Sequence, residues 1–131
     1  MIDMKASGVL HPELSYLIAK CGHTDYFVIA DKGFPAPLGV ERINLGFLDD
    51  MPTVVEVLKA IKTEMIIDRI IITEEMEDIS QRRVSELKQL FPDITFETTT
   101  HIELKKLSET ANGVVKTGDT TPFANLIIVS G

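Results

Sequence analysis

The chain has 131 residues, of which 44% are hydrophobic and 25% charged, and its formal net charge is -7. This length and composition are typical of one globular domain with its own core, so we expect residues 1–131 to form a single domain. The negative charge disfavours nucleic acid and anionic membrane surfaces as partners, because both are bound by clustered lysine and arginine, and it is compatible with a neutral small molecule.

The first part of the chain reads as a helix followed by a buried strand. A helix is expected from Pro12, a residue favoured in the first helical turn, to Gly22, which suits a left-handed C-cap. Tyr26–Ala30 is a continuous apolar run, typical of a strand that is buried on both faces, and it stops at Asp31. The glycines and prolines within residues 33–39 then predict a rigid loop.

The rest of the chain continues the alternation of strands and helices. The pattern predicts strands at 42–45, 68–73, 94–99, 113–116 and 124–130, and helices at 52–65, 78–91 and 101–109. This alternation predicts an α/β fold, a single domain with a largely parallel sheet flanked by helices. A short turn with Thr, Gly and Pro joins the last two strands, which we expect to pair antiparallel.

Cysteine usage and hydropathy indicate the compartment. The single cysteine, Cys21, excludes a disulfide within the chain and favours a reducing compartment. No apolar run approaches the roughly 20 residues that are needed to span a bilayer. Residues 1–5 lack the basic and apolar pattern of a signal peptide. We therefore expect a soluble, cytoplasmic protein.

Polar residues that follow strands are candidate site residues, because open α/β sheets bind ligands outside the carboxyl ends of their strands. Asp31 ends a buried strand, so its carboxyl group has a raised pKa if it is desolvated and stays ionised if it is paired. A helix cap or a turn is the alternative role for this aspartate. The rigid loop that follows favours a preorganised site.

The three histidines are candidate proton donors and acceptors. His23 lies in the loop before Tyr26–Ala30, so the sequence does not place it beside Asp31, and an exposed loop residue is the alternative. His101 opens a predicted helix, whose N-terminus disfavours an imidazolium and lowers the pKa. An N-cap or surface role is the alternative for His101, and His11 is interpreted as a cap of the first helix.

No cofactor or metal motif competes with these residues. The chain has no glycine-rich phosphate loop, no Cys-x-x-Cys pair and no His-Glu-x-x-His pattern. The acidic run at residues 74–78 is interpreted as a solvated helix start. A metal-dependent hydrolase or isomerase that uses the histidines is a weak hypothesis, because their spacing does not match a zinc site. We expect neither a metal nor a cofactor.

Three separated motifs occur along the chain in one order. They are Gly22-His23-Thr24-Asp25, Ile29-Ala30-Asp31-x-Gly33-x-Pro35-x-Pro37 and Thr117-Gly118-x-x-x-Pro122-x-x-Asn125. This set resembles the RbsD/FucU family of D-ribose pyranases and L-fucose mutarotases, over nearly the whole chain. The first two motifs resemble the ribose branch more than the fucose branch.

The resemblance implies a cofactor-free isomerase that interconverts ring forms of a free monosaccharide, with D-ribose as the expected substrate. It also implies ring-shaped homo-oligomers, commonly decamers, with the site at a subunit boundary. The residues that it implies are His23 and Asp31 for catalysis and His101, Lys105, Phe123 and Asn125 for sugar binding. A non-catalytic sugar-binding or transport-accessory protein and an L-fucose-type mutarotase are the alternatives.

Two residues depart from the family pattern at these motifs. Phe123 stands where the family usually has tyrosine, so a phenolic hydroxyl is absent while the apolar ring is kept. Loss of one such hydrogen bond costs about 1 kcal/mol. Asp119 stands where the family usually has glutamate, which moves a carboxylate by one methylene.

Overall fold

One six-stranded sheet organises residues 8–131, the part of the chain that this computed structural model describes. The strands are β1 (Tyr26–Ala30), β2 (Arg42–Asn44), β3 (Ile67–Thr73), β4 (Thr95–Thr99), β5 (Val114–Lys116) and β6 (Leu126–Ser130). They lie in the order β2-β5-β1-β6-β3-β4. All neighbours are parallel except β6, which is antiparallel to both β1 and β3. The predicted α/β class with a largely parallel sheet is therefore confirmed.

The expected pairing of the last two strands is wrong. β5 pairs in parallel with β1 on one side and with β2 on the other, while β6 pairs with β1 and β3. Residues 117–125 separate β5 from β6, which is longer than the two to five residues of most hairpin loops. The connection passes over the end of β1, and Thr117 donates hydrogen bonds from its N–H and its hydroxyl to the carbonyl of Ala30.

Helices cover both faces of the sheet unequally. They are α1 (Pro12–Lys20), α2 (Val54–Lys62), α3 (Glu74–Ile79), α4 (Gln81–Leu90) and α5 (His101–Ser108). The larger core contains buried residues of α1, α2, α3 and α4, together with Phe27 and Ile29 of β1. The smaller core contains Val28 and Ala30 of β1 with Phe34 and Leu104. Successive side chains of β1 therefore pack alternately into the two cores, as its unbroken apolar run predicts.

The first helix ends earlier than the sequence predicts. Its last residue is Lys20, and Cys21 is the C-cap with extended backbone angles. The left-handed residue in this loop is Thr24, with φ 71°, rather than Gly22. The Gly22 N–H instead donates to the side chain of Asp25 at 2.8 Å, which forms a local turn and replaces the expected glycine cap.

The predicted helix at 78–91 is two helices, because the backbone breaks at Ser80, with φ -123° and ψ 50°. The Ser80 hydroxyl donates to the carbonyl of Pro122 at 2.6 Å, so a tertiary contact stabilises the break. The helix predicted at 52–65 is α2, which starts with a capping box between Thr53 and Glu56. None of the helices within residues 8–131 is long and apolar enough to cross a bilayer.

Packing of α2 against the larger core predicts a large stability difference between two adjacent residues. Leu58 is fully buried, whereas Lys59 is exposed. We expect Leu58→Ala to lower the free energy of unfolding by about 2–5 kcal/mol, because it removes buried apolar surface and leaves a cavity. Lys59→Ala is the matched control, with an expected change within about 0.5 kcal/mol. Urea unfolding of both variants measures the difference, and equal losses would contradict this packing.

Candidate active site

The antiparallel course of β6 brings an amide to the carboxylate at the end of β1. The amino end of β6 lies at the sheet edge where the parallel strands have their carboxyl ends. Asn125, directly before β6, therefore lies beside Asp31, directly after β1. The Asp31 N–H donates to Oδ1 of Asn125 at 2.8 Å, and Nδ2 of Asn125 donates to Oδ2 of Asp31 at 3.3 Å. Asn125 is buried, so these two hydrogen bonds hold the carboxylate from behind.

A cleft of about 360 Å³ opens in front of this pair. It contains five of the six site residues implied by the sequence, and its apolar walls are Phe34, Pro35 and Pro122. The five are Asp31, His101, Lys105, Phe123 and Asn125. A cleft of this size is at the lower end of the range for small-molecule sites.

A larger groove of about 790 Å³ lies at the ends of β2 and β5. Its lining residues within 8–131 include Lys32, Lys116 and the exposed Phe47 but no histidine. Among these described lining residues Asp49 is the one acidic residue, and it forms an ion pair with Lys32 at 2.8 Å. The smaller cleft, by contrast, contains both a carboxyl group and an imidazole, the kinds of group that acid–base chemistry needs.

Burial dominates the electrostatics of Asp31. It raises the pKa of the Asp31 carboxyl, and the negative charge of Asp119 acts in the same direction. The Gly33 N–H, which donates to Oδ1 at 3.1 Å, the Asn125 amide and the charge of His101 favour the ionised form and offset part of the rise. The net direction is upward, so this carboxyl group holds a proton at higher pH than an ordinary aspartate does.

His101 is shifted in the opposite sense. It is the first residue of α5, and its ring lies edge-on to Phe34 and Phe123, with centroids 6.3 Å and 5.2 Å away. Burial lowers the pKa of the imidazole, and the ammonium of Lys105 lowers it further, against the opposing charges of Glu75 and Asp31. The predicted direction is confirmed, with burial rather than the helix N-terminus as the largest cause. The cleft thus combines a carboxyl group with a raised pKa and an imidazole with a lowered one.

The turn that carries Phe123 is anchored from behind. Phe123 has φ 57°, a left-handed conformation that costs a residue with a side chain about 1–3 kcal/mol. The fully buried Asp119 carboxylate accepts from the N–H groups of Val54 and Thr121, each at 2.9 Å, and pairs with Arg83 at 3.2 Å. These contacts hold the turn in place and so stabilise the strained position of Phe123.

Sequence reasoning missed these supporting residues. Arg83 follows the fully exposed Arg82, and nothing in their spacing distinguishes the two. Ser80 lies within a helix that the sequence predicts as continuous, and the sequence marks Asp119 only as a departure from the family pattern. Their roles arise from contacts between distant segments, which no local pattern reveals.

The last of the implied site residues, His23, lies elsewhere in the chain. It is exposed in the loop before β1, where the neighbouring Thr24 N–H donates to the carbonyl of Ser130 at 3.0 Å. His23 and Asp31 flank the two ends of β1, a strand of five residues that spans about 17 Å. One chain therefore does not bring the two residues together.

The three histidines do not share a site within one chain. His11 is the N-cap of α1, as predicted, and its Nδ1 accepts from the N–H of Leu14 at 3.3 Å. Among residues 8–131, no group of three His, Cys, Asp or Glu side chains is arranged to hold a metal ion.

The fold and the cleft together define a class of protein: an open α/β sheet with a small-molecule site of the acid–base type at its carboxyl edge. The sequence model of the RbsD / FucU transport protein family matches residues 4–131, and the chain belongs to this family. The resemblance seen in the three motifs is thereby confirmed.

Relatives that are 34–38% identical to this chain are named D-ribose pyranases. The chain is 38% identical to a D-ribose pyranase of Clostridium perfringens and 34% identical to one of Limosilactobacillus fermentum, over 98% of each sequence. The structure of Bacillus subtilis RbsD complexed with D-ribose matches with a TM-score of 0.93 and 35% identity, over 98% of both chains. A fucose mutarotase from Streptococcus pneumoniae in complex with L-fucose matches with a TM-score of 0.73 over 93% of both chains, and its 20% identity shows the shared fold alone.

The hydrogen bond from Asn125 to Asp31 predicts how the pKa of Asp31 responds to substitution of Asn125. Asn125→Ala removes an N–H donor to the carboxylate, so the ionised form loses stabilisation and the pKa of Asp31 rises further. A carboxyl ¹³C NMR titration measures the change. Asn112→Ala is the matched control, because the Asn112 amide donates to Sγ of Cys21, at 3.9 Å, near the other end of β1. An unchanged or lower pKa of Asp31 in Asn125→Ala would contradict the geometry.

Proposed function

We propose that this chain catalyses the cofactor-independent interconversion of pyranose and furanose ring forms of a free monosaccharide, with D-ribose as the substrate. The observation that carries the proposal is the cleft in which Asp31 and His101 have pKa values displaced in opposite directions. Such displaced pairs are typical of acid–base sites. The identity of 34–38% to proteins named D-ribose pyranase supports the choice of sugar.

The chemistry needs few groups. A cyclic sugar opens when its ring oxygen gains a proton and its anomeric hydroxyl loses one, and the reverse steps close a ring of another size. One acid, one base and hydrogen bonds to the other hydroxyls are sufficient, and no covalent intermediate or redox step is required. Because the reaction already proceeds in water, positioned acid–base groups that contribute about 10²–10⁴-fold each account for the catalysis.

We assign His23 as the principal acid–base group, oriented by Asp31. Neutral His101 both donates and accepts hydrogen bonds, and Lys105 donates only, so together they suit several sugar hydroxyls. Both polar atoms of the Asn125 side chain already contact Asp31, which leaves one amide hydrogen for the sugar. The ring of Phe123 supplies an apolar wall.

A second copy of the chain supplies His23 in this proposal. His23 lies at one edge of the sheet and the cleft at the other, so a shared site requires one edge of a copy to meet the opposite edge of the next. Such a head-to-tail interface is heterologous. Repeated from copy to copy, it generates a closed ring when a whole number of the rotations between neighbours completes a full turn. We therefore propose a ring-shaped homo-oligomer, a decamer by family resemblance, with a complete site at each such boundary.

We propose that the protein acts in the cytoplasm. Cys21 is a free thiol at the end of α1, and it is the only cysteine in the sequence. A protein without disulfides suits a reducing compartment.

A non-catalytic sugar-binding protein is the second candidate function. Phe123 favours this candidate, because phenylalanine lacks the phenolic hydroxyl of tyrosine, which could form a hydrogen bond with the sugar or donate and accept a proton. This candidate predicts that ribose binds without faster exchange between its ring forms. Exchange NMR with D-ribose, other pentoses and L-fucose separates the two functions and also tests the L-fucose-type alternative.

The role of His23 can be tested by substitution. We expect His23→Asn to slow the enzyme-dependent exchange of D-ribose ring forms, followed by saturation-transfer NMR, by about 10²–10⁴-fold. His11→Asn is the matched control, because asparagine keeps the N-cap of α1 and His11 lies outside the cleft. Exchange by His23→Asn at the rate of the control would overturn the assignment.

The shared site can be tested by mixing two inactive variants. In oligomers co-expressed from His23→Asn and Asp31→Asn chains, half of the clefts keep Asp31 and half of their neighbours supply an intact His23. About a quarter of the sites are therefore complete, and activity recovers to about that fraction of the wild type. Two differently tagged His23→Asn chains, co-expressed in the same way, stay inactive. Mixed oligomers without recovery would show that the two residues do not meet across a boundary.

A further inference from the structure

Glu75 is one of two half-buried carboxylates in the acidic run at residues 74–78, the other being Glu77. Glu75 lies in the first turn of α3, directly after β3, and it is half-buried, whereas Glu74 and Asp78 are exposed. Both oxygens of its carboxylate accept from the backbone N–H of His101, at 3.1 Å and 3.2 Å. Glu75 thus contacts a residue of the cleft without lining the cleft itself.

This contact anchors the start of α5. The first N–H groups of a helix have no partners within the helix, so side chains must satisfy them. The Thr100 hydroxyl accepts from the Glu103 N–H, and Glu75 accepts from the His101 N–H. β3 and β4 are parallel neighbours, so the segments that follow them begin side by side and Glu75 can reach across.

The orientation of the His101 imidazole is not fixed by a hydrogen bond at Nδ1 from residues 8–131. Its Nδ1 atom is buried and has no hydrogen-bond partner among residues 8–131. Ring orientation is commonly set by a hydrogen bond at the second ring nitrogen, and here that bond is missing. In the described part of the chain, the ring packs edge-on against Phe34 and Phe123, and the backbone to which it is attached sets its position. The position of the backbone at His101 therefore decides where the imidazole lies in the cleft.

The charge of Glu75 acts on the same ring. Three charged groups face His101: Lys105 from its own helix, Glu75 from α3 and Asp31 from the end of β1. Lys105 and burial lower the pKa of the imidazole, while Glu75 and Asp31 raise it. Glu75 therefore opposes burial and keeps the pKa of His101 from falling further.

We infer that Glu75 is a positioning residue of the site, which holds His101 through its backbone N–H and through the charge of its carboxylate. The inference rests on the proposed function, because it assigns Glu75 to the handling of the sugar by His101. It also gives a reason for the partial burial of the Glu75 carboxylate.

Two substitutions separate the charge from the anchor. In Glu75→Gln the side-chain oxygen still accepts from the His101 N–H, but the negative charge is gone. In Glu75→Ala both are gone. Glu77→Gln and Glu77→Ala are the matched controls, because Glu77 is in the same helix and its carboxylate accepts from the Thr98 hydroxyl instead.

The first readout is the titration of the His101 imidazole by NMR, with its signal assigned by comparison with His101→Asn. Loss of the nearby negative charge destabilises the imidazolium, so Glu75→Gln lowers the pKa of His101, whereas Glu77→Gln leaves it unchanged. The limb of the kcat/KM pH profile that belongs to His101 moves to lower pH with it. An unchanged pKa of His101 in Glu75→Gln would overturn the inference.

The second readout is the exchange rate of D-ribose at saturating sugar. We expect Glu75→Ala to lose about tenfold or more in kcat, since displaced catalytic geometry is costly, and Glu75→Gln to retain most of the rate at its own pH optimum. Equal rates for Glu75→Ala and Glu77→Ala would contradict the inference. If the wild type itself does not accelerate exchange, the proposed function fails, and the imidazole titration still tests the contact between Glu75 and His101.

Discussion

The reciprocal hydrogen bonds between Asp31 and Asn125 are the interaction on which the rest of the site depends. They form only because β6 runs against the other five strands, so that its amino end lies beside the carboxyl end of β1. If β6 were parallel to β1, Asn125 would lie at the opposite edge of the sheet. The single antiparallel strand thus converts two residues 94 positions apart into a fixed pair.

Partial burial changes the pKa values of Asp31 and of the neighbouring His101. The rings of Phe34 and Phe123 pack against His101, and both His101 and Asp31 are partly buried. Their reduced contact with water disfavours the charged form of each group. The same change of environment therefore raises one pKa and lowers the other. The pKa values of a carboxyl group and an imidazole in this cleft therefore move toward each other from their ordinary values.

Supporting contacts keep the cleft in this geometry. The strained backbone at Phe123 persists because Asp119 and Arg83 hold its turn against α2 and α4. At the other wall, Glu75 holds the first residue of α5. These groups lie behind the cleft and come from separate parts of the chain, so the site depends on the packing of several helices around the sheet edge.

Much of this fold could be predicted from local patterns, and the failures have physical reasons. The apolar run Tyr26–Ala30 coincides with β1 because a strand buried on both faces leaves an unbroken signal. The insertion of β1 between β5 and β6 could not be predicted, since strand order depends on contacts between distant segments. The helix break at Ser80 depends in the same way on its hydrogen bond to Pro122.

The site was predictable to the extent that the family resemblance implied its residues. Five of the six implied residues meet in one cleft, including Lys105, whose exposure alone gives no hint of a role. The sequence around His23 does not place it beside Asp31, because the two residues flank opposite ends of β1. The family resemblance alone suggested that they meet across a subunit boundary. Glu75 could not be singled out within the acidic run at residues 74–78, because its hydrogen bond to His101 joins distant segments.

We propose that each cleft is completed across a boundary between two copies of the chain, and a crystal structure of the oligomer with D-ribose bound would test this proposal. We expect one sugar in each cleft, within hydrogen-bond distance of Asp31 and His101 of one copy and of His23 from its neighbour. A sugar bound elsewhere, or a sugar in the cleft with every His23 exposed to solvent, would contradict it.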